Sequence, residues 1–394
     1  MSRDVFIVSG ARTPIGSFGG SLKEHSPTML GSIAAQAAIE RAGIDAENVD
    51  NSVFGTVIPT ETADLFLGRT VGIGAGLRDT SQGFTVNRLC GSGVQAIVSA
   101  AQMIQLGESK LAIAGGAEAM SRSPFSINGM RFGHRMGDGI VYDWLTNTLA
   151  DPFGHGAMGC TGENVAEKYQ ITRERQDEFA LTSQKRAGDA VKDGRFAGQI
   201  APVTVRDRKS ERVFDTDEYP KPQTNMEDLA KLKAVFRKGG TVTAGNASGI
   251  NDGGAAVVLA GEDEVHRRNL KPMARIVSWG IAGVPPDIMG IWPVAAVPIA
   301  LERAKLSMAD IDVIECNEAF AAQALAVCDG LALASDKVNP NGGAIALGHP
   351  LGATGAILTV KAMYELRRTK GRFGLITMCI GGGQGIAMII ENLT

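Results

Sequence analysis

Two cysteines, a histidine and an asparagine stand in settings where their side chains could do chemistry. Cys90 lies in VNRLCGSGVQAIVSAA, where a strand gives way to a helix. Free backbone N–H groups and the positive end of the helix dipole at such a turn favour a thiolate, so the segment predicts a nucleophile with a lowered pKa. Gly91 and Gly93 leave room for a ligand or a second backbone beside the sulfur. Cys379 closes LITMC and precedes IGGGQG, whose exposed amides could donate hydrogen bonds to a developing oxyanion. His349 sits in GHPLGATGA, where Gly348 permits unusual backbone angles and Pro350 holds the histidine extended, so the ring can be aimed into a site as a base. Asn317 follows a strand and precedes an apolar helix in VIECNEAFAAQALAV, and its ordinary reading is an N-cap. The others also have ordinary readings when taken singly, as a buried inert thiol or a structurally bonded loop histidine.

The elements that must position these residues come from an internal duplication. AAIERAGIDAENVD (37–50) aligns with IALERAKLSMADID (299–312), and upstream DVFIVSGARTPIG (4–16) has a counterpart in MARIVSWGIAGVP (273–285). In both copies a Val-Asn pair, at 86–87 and at 338–339, precedes a glycine-rich turn, a long helix and a further strand. Short β-branched runs alternate with helical patterns, the signature of a mainly parallel sheet covered by helices. The helix after Cys90 carries Val94, Ile97, Val98, Ala101 and Ile104 on one face and no charge before Glu108, so burial nearly all round, between two layers, is expected. Residues 121–245 interrupt the repeat and grow charge-dense. The expected organisation is a first half (1–120 plus 246–270), an inserted loop domain (121–245) and a second half (271–394).

Composition narrows the function classes. A chain of 394 residues exceeds one hydrophobic core, and 44% hydrophobic with 21% charged residues fits a globular protein. A net charge of -3 lacks the basic excess of a nucleic-acid binder. Without about 18 successive apolar residues, no membrane span is expected. Five cysteines with no CxxC spacing imply a reducing compartment, read as the cytoplasm, and the histidines at 25, 134, 155, 266 and 349 are too scattered for metal ligation.

CGSG at 90–93, NEAF at 317–320, GHP at 348–350 and CIGGGQG at 379–385, in this order, resemble the signature blocks of the thiolase family, with TAGNASGINDGGAA (243–256) similar to a fifth. The resemblance spans essentially the whole chain. It implies an α/β fold of two duplicated halves in a five-layer αβαβα architecture, with an inserted loop domain that helps bind coenzyme A. It further implies reversible condensation and thiolysis of short- to medium-chain 3-ketoacyl-CoA, with no cofactor beyond the coenzyme A thioester substrates. Carried over by position, Cys90 accepts the acyl group, His349 activates it, Cys379 serves as acid/base at the acetyl Cα, and Asn317 holds a water that, with His349, stabilises a thioester oxygen. The amides of Cys90 and Gly381 form a second oxyanion hole. Ser248 matches a pantetheine contact, with Leu149, Met158, Phe236 and Phe320 as its apolar surroundings. A homodimer or homotetramer is implied. An acyl-carrier-protein condensing enzyme and an inactive acyl-CoA-binding homologue are the alternatives. Two positions depart from short-chain relatives: Ala157 stands where they carry histidine, which predicts relaxed chain-length selection, and Trp292 and Ala295 replace a Gly and a Pro.

Overall fold

The structure, a computed structural model, describes residues 3–207 and 210–394. The first half runs β1 (Val5–Arg12), β2 (Gly16–Ser17), α1 (Pro27–Ala42), β3 (Asn51–Gly55), α2 (Leu67–Gly74), β4 (Gln82–Val86), α3 (Ser92–Leu106) and β5 (Leu111–Ala119). The chain then leaves the sheet through two hairpins, β6 (Phe125–Ile127) with β7 (Val141–Asp143) and β8 (Val203–Asp207) with β9 (Ser210–Phe214). Helices α4 (Trp144–Thr148), α5 (Met158–Lys168), α6 (Arg173–Lys192) and α7 (Met226–Ala230) accompany them. It returns as β10 (Asn251–Gly261), between β1 and β5, followed by α8 (Glu262–Arg268). The second half runs β11 (Ala274–Gly283), α9 (Pro293–Ala304), β12 (Ile311–Cys316), α10 (Ala321–Gly330), α11 (Ala344–Leu347), α12 (Leu351–Thr369), β13 (Phe373–Ile380) and β14 (Gln384–Asn392).

Local signals explain the repeated helices. Helix α1 starts on Ser26, whose side chain accepts from the Met29 amide, has Pro27 in its first turn, and stops at left-handed Gly43. Its counterpart α9 likewise starts on a proline and stops at left-handed Lys305.

Among the described residues, ten strands join in the order β12-β13-β14-β11-β1-β10-β5-β3-β4, with β2 on β10. The halves meet where β1 pairs antiparallel with β11, Val5 opposite Ile276 and Ile7 opposite Ala274. Outward from that seam, β10-β5-β3 corresponds to β14-β13-β12. In the first half β4 lies parallel beside β3, and in the second a single parallel bridge, Ile314 to Val338, takes that place. Helices α3 and α12 lie between the halves in a core that mixes Val94, Ile97 and Val257 with Ile376, Met378 and Met388. Helices α1 and α2 cover the outer face of the first half, and α9 and α10 that of the second. This is the five-layer α/β arrangement.

The two central helices approach closely at glycines. A Cβ on Gly93 would lie 2.6 Å from the Ala356 amide nitrogen and one on Gly355 2.5 Å from that of Val94, so larger residues there would force the helices apart. The structure qualifies one expectation: Leu89–Leu106 is long and apolar enough to cross a bilayer, yet its apolar surface is spent between the sheets.

Candidate active site

The turn into α3 holds Cys90 between Leu89, with left-handed φ of 45°, and Gly91, the helix cap. Ser92 Oγ locks the turn by donating to the Leu89 carbonyl (2.6 Å) and accepting from the Arg88 amide (2.9 Å). Arg88 donates to Gln384 Oε1 at 3.0 Å, joining this turn to the glycine run after Cys379. The Cys90 thiol is half-buried, and its own amide and that of Gly381 lie within hydrogen-bonding reach of the sulfur. The expected lowering of its pKa is overturned. Burial outweighs both amides, the negative charge of Glu118 adds to it, and the thiol is pushed up to about 11. Cys90 therefore rests as a thiol and needs a base.

His349 supplies one. Gly348, at φ 107°, takes a conformation reserved for glycine, and the His349 amide donates to Asn251 Oδ1 (3.0 Å). The ring Nδ1 lies 2.6 Å from Thr354 Oγ1, which itself donates to the Pro350 carbonyl at 2.9 Å. A hydroxyl has one proton, so Thr354 accepts from Nδ1–H, and Nε2 keeps its lone pair. Burial pushes His349 down to about 4, leaving the ring neutral.

Asn317 lies just beyond β12 and donates through Nδ2 toward His349 Nε2 at 3.4 Å. The cap reading fails: Phe320 occupies the N-cap of α10 and makes no side-chain cap bond. Asn339 instead pins the strand end, accepting from the Cys316 amide and donating to its carbonyl. Asn317 Oδ1 is buried with no hydrogen-bond partner among the described residues.

Cys379, opposite Gly385 in the β13–β14 ladder, is fully buried, and its thiol is raised well above the ordinary range by burial and then by Cys90. It packs with Met158, Met289, Trp292 and Phe320. Three of these residues, with Leu89, Cys90, Leu149, Ser248, His349 and Gly381, wall a cavity of about 70 Å³; Cys379 and Asn317 lie behind that wall. Phe236 is not in the wall but backs Phe320, ring edge to face, at 6.1 Å between centroids. Ala157 is exposed at the N-cap of α5 and is no part of the wall, to which Met158 and Met289 contribute. Trp292 is fully buried with its indole N–H unpartnered among the described residues, and Ala295 packs beside it. A second cleft, of about 400 Å³, is bordered by Tyr219, Lys221, Leu232, Ala244 and Gly245.

Thr354, Asn251, Met289 and Glu118 were not found in the sequence. Thr354, five residues after His349, sits at the start of α12, where its hydroxyl meets the His349 ring. Among the described residues, no group of His, Cys, Asp or Glu is placed to hold a metal ion.

The family models for the thiolase N-terminal domain and the thiolase C-terminal domain match residues 5–263 and 270–392. The chain is 54% identical over 394 residues to the beta-ketothiolase BktB of Cupriavidus necator, covering 100% of both chains. It is 49% identical over 393 residues to an acetyl-CoA acetyltransferase of Escherichia coli, covering 99% of this chain and 100% of the relative. The crystal structure of human mitochondrial 3-ketoacyl-CoA thiolase in complex with CoA superposes with a TM-score of 0.96 at 45% identity, covering 99% of this chain and 98% of that one.

Proposed function

The chain belongs to the thiolase family and is an acyltransferase acting on 3-ketoacyl-CoA thioesters, and we propose that it works through an acyl-Cys90 intermediate. The observation that carries this reading is that Cys90 and His349 share the wall of one small apolar cavity, with Cys379 packed against wall residues Met158 and Phe320, Asn317 reaching His349, and two amides at the Cys90 sulfur. His349 Nε2 takes the Cys90 proton as the sulfur attacks the thioester carbonyl, and the amides of Cys90 and Gly381 hold the oxyanion. CoA leaves and regains the proton from His349. In condensation, a second acyl-CoA loses a Cα proton by way of Cys379, its enolate oxygen facing His349 and Asn317, and the carbon attacks acyl-Cys90. The proton relayed by Cys379 ends on the departing Cys90 sulfur, and thiolysis runs the same transfers backwards. These steps call for no further cofactor. Ser248, Leu149, Met158 and Phe320 line the way for the pantetheine arm, with Phe236 behind, and Lys221 in the second cleft suits the phosphates of CoA.

The small cavity favours short acyl chains, with thioether walls that can shift. Thiolysis kcat/KM across 3-ketoacyl-CoA from C4 to C12 is expected to peak at short chains. It should fall about 10-fold or more for each methylene that the cavity cannot hold. A flat series would refute the size argument, and CoA binding with no thiolysis at any length would remove the acyl-Cys90 reading.

A second copy suits the outer edge of β4, which pairs on one side only and sits beside exposed Phe66, Leu65 and Phe84. The exposed Phe125, Phe132 and Ile140 around the β6–β7 hairpin offer a further contact, so a dimer or tetramer is proposed. A monomer mass in sedimentation would exclude both. Two catalytic thiols fit the reducing cytoplasm, to which we assign the protein.

A further inference from the structure

Glu118, near the end of β5, is a fully buried carboxylate with no cation beside it among the described residues. Its Oε1 accepts from the Ile58 amide at 3.0 Å and Thr56 Oγ1 at 3.2 Å, and its Oε2 from the Val57 amide at 3.0 Å and the Gly352 amide at 2.7 Å. Burial pushes the carboxyl up to about 7, and the four donors on its two oxygens act against that burial and favour the anion: a carboxyl O–H would be aimed at groups that can only donate, or would displace one of them. Three donors come from the loop after β3, in the first half. The fourth belongs to the first turn of α12, in the second half, three residues beyond His349.

The contact is built for close approach. A Cβ on Gly352 would lie 2.7 Å from Thr56 Cα and 2.9 Å from Glu118 Oε2, and the Gly352 carbonyl lies 3.0 Å from where a Cβ on Gly93 would stand. Gly93 is three residues beyond Cys90. The first turns of the helices that follow Cys90 and His349 therefore meet at this carboxylate.

We propose that Glu118 is a positioning residue for acyl transfer, an anionic clamp across the seam between the halves that holds the His349 turn in register with the Cys90 turn. The clamp rests on the roles proposed for Cys90 and His349. Among the described residues, Glu118 is the charged group whose field acts on the Cys90 thiol, and that field disfavours the thiolate; the other titratable groups facing that thiol, His349 and Cys379, are neutral. In the resting enzyme Cys90 thus keeps its proton until His349 accepts it, and the base must be held in place for that transfer.

Glu118→Gln separates clamp from bulk, because it keeps the shape while turning an amide NH₂ toward N–H donors. Thiolysis kcat for acetoacetyl-CoA should fall about 10²-fold, the usual consequence of a small misplacement of catalytic groups. KM for CoA should change little, since Glu118 is no part of the cavity wall. With the charge gone, the pH midpoint for iodoacetamide alkylation of Cys90 should move down, which a purely structural role would not produce. Wild-type kcat in Glu118→Gln, or a lost kcat with an unmoved alkylation midpoint, would overturn the proposal. If the Gln variant does not fold, Thr56→Val removes one donor and carries the test: kcat falls severalfold at constant KM, and an unchanged kcat overturns the clamp. Mapping of the acetyl group in the wild-type enzyme tests the acyl-Cys90 reading separately, so the two can fail independently.

Discussion

Cys90→Ala is expected to lower condensation and thiolysis by about 10⁴–10⁶-fold, the scale of losing a covalent nucleophile whose partners act as a unit. No other thiol can take over. Cys316 and Cys379 are buried with raised thiols, Cys328 sits on α10 and is pushed up to about 12 mainly by burial, and Cys160 faces the Phe236 carbonyl. Intact mass and peptide mapping after exposure to acetyl-CoA should place the acetyl group on Cys90 of the wild-type enzyme and nowhere in the variant. Acetyl found on another cysteine, with Cys90 free, would sink the assignment.

Cys379→Ala should divide the reaction in two. Acetylation of Cys90 persists, because Cys90, His349 and Thr354 form a unit that does not route through Cys379. Carbon–carbon bond formation and cleavage fall by about 10²–10⁴-fold, the range for a positioned acid/base, and deuterium exchange at the acetyl-CoA methyl falls with them. The void left by the side chain opens into the cluster of Met158, Met289, Trp292 and Phe320, whose methionines can relax into it. If the variant instead blocks acetylation and spares methyl exchange, the roles of the two cysteines are reversed.

The legibility of this site differs residue by residue. The place of Cys90 was readable because a strand, a glycine turn and an apolar helix each leave a local pattern, but the sign of its pKa shift was not. That sign is a contest between nearby amides and desolvation, and desolvation depends on how the second half closes over the turn. Asn317 looked like a cap because a strand end before an apolar helix is where caps occur; its side chain is drawn instead to His349. Ala157 looked like a determinant of chain length, yet it lies outside the cavity wall.

By itself, the sequence determined the duplication, the alternation of strands and helices, the buried helix after Cys90, and the four polar residues at strand and helix ends. All are local properties, set by periodicity, turn chemistry and repeated order. Only the tertiary structure decided that β1 pairs with β11 to join the halves, that Thr354 sets the tautomer of His349, and that Glu118 binds amides from both halves. The reason is physical: Cys90 and His349 come from different halves and meet only when two apolar helices pack at glycines with no room for a Cβ. Protonation at the site follows from that enclosure, because water is excluded by the fold as a whole and not by any one segment.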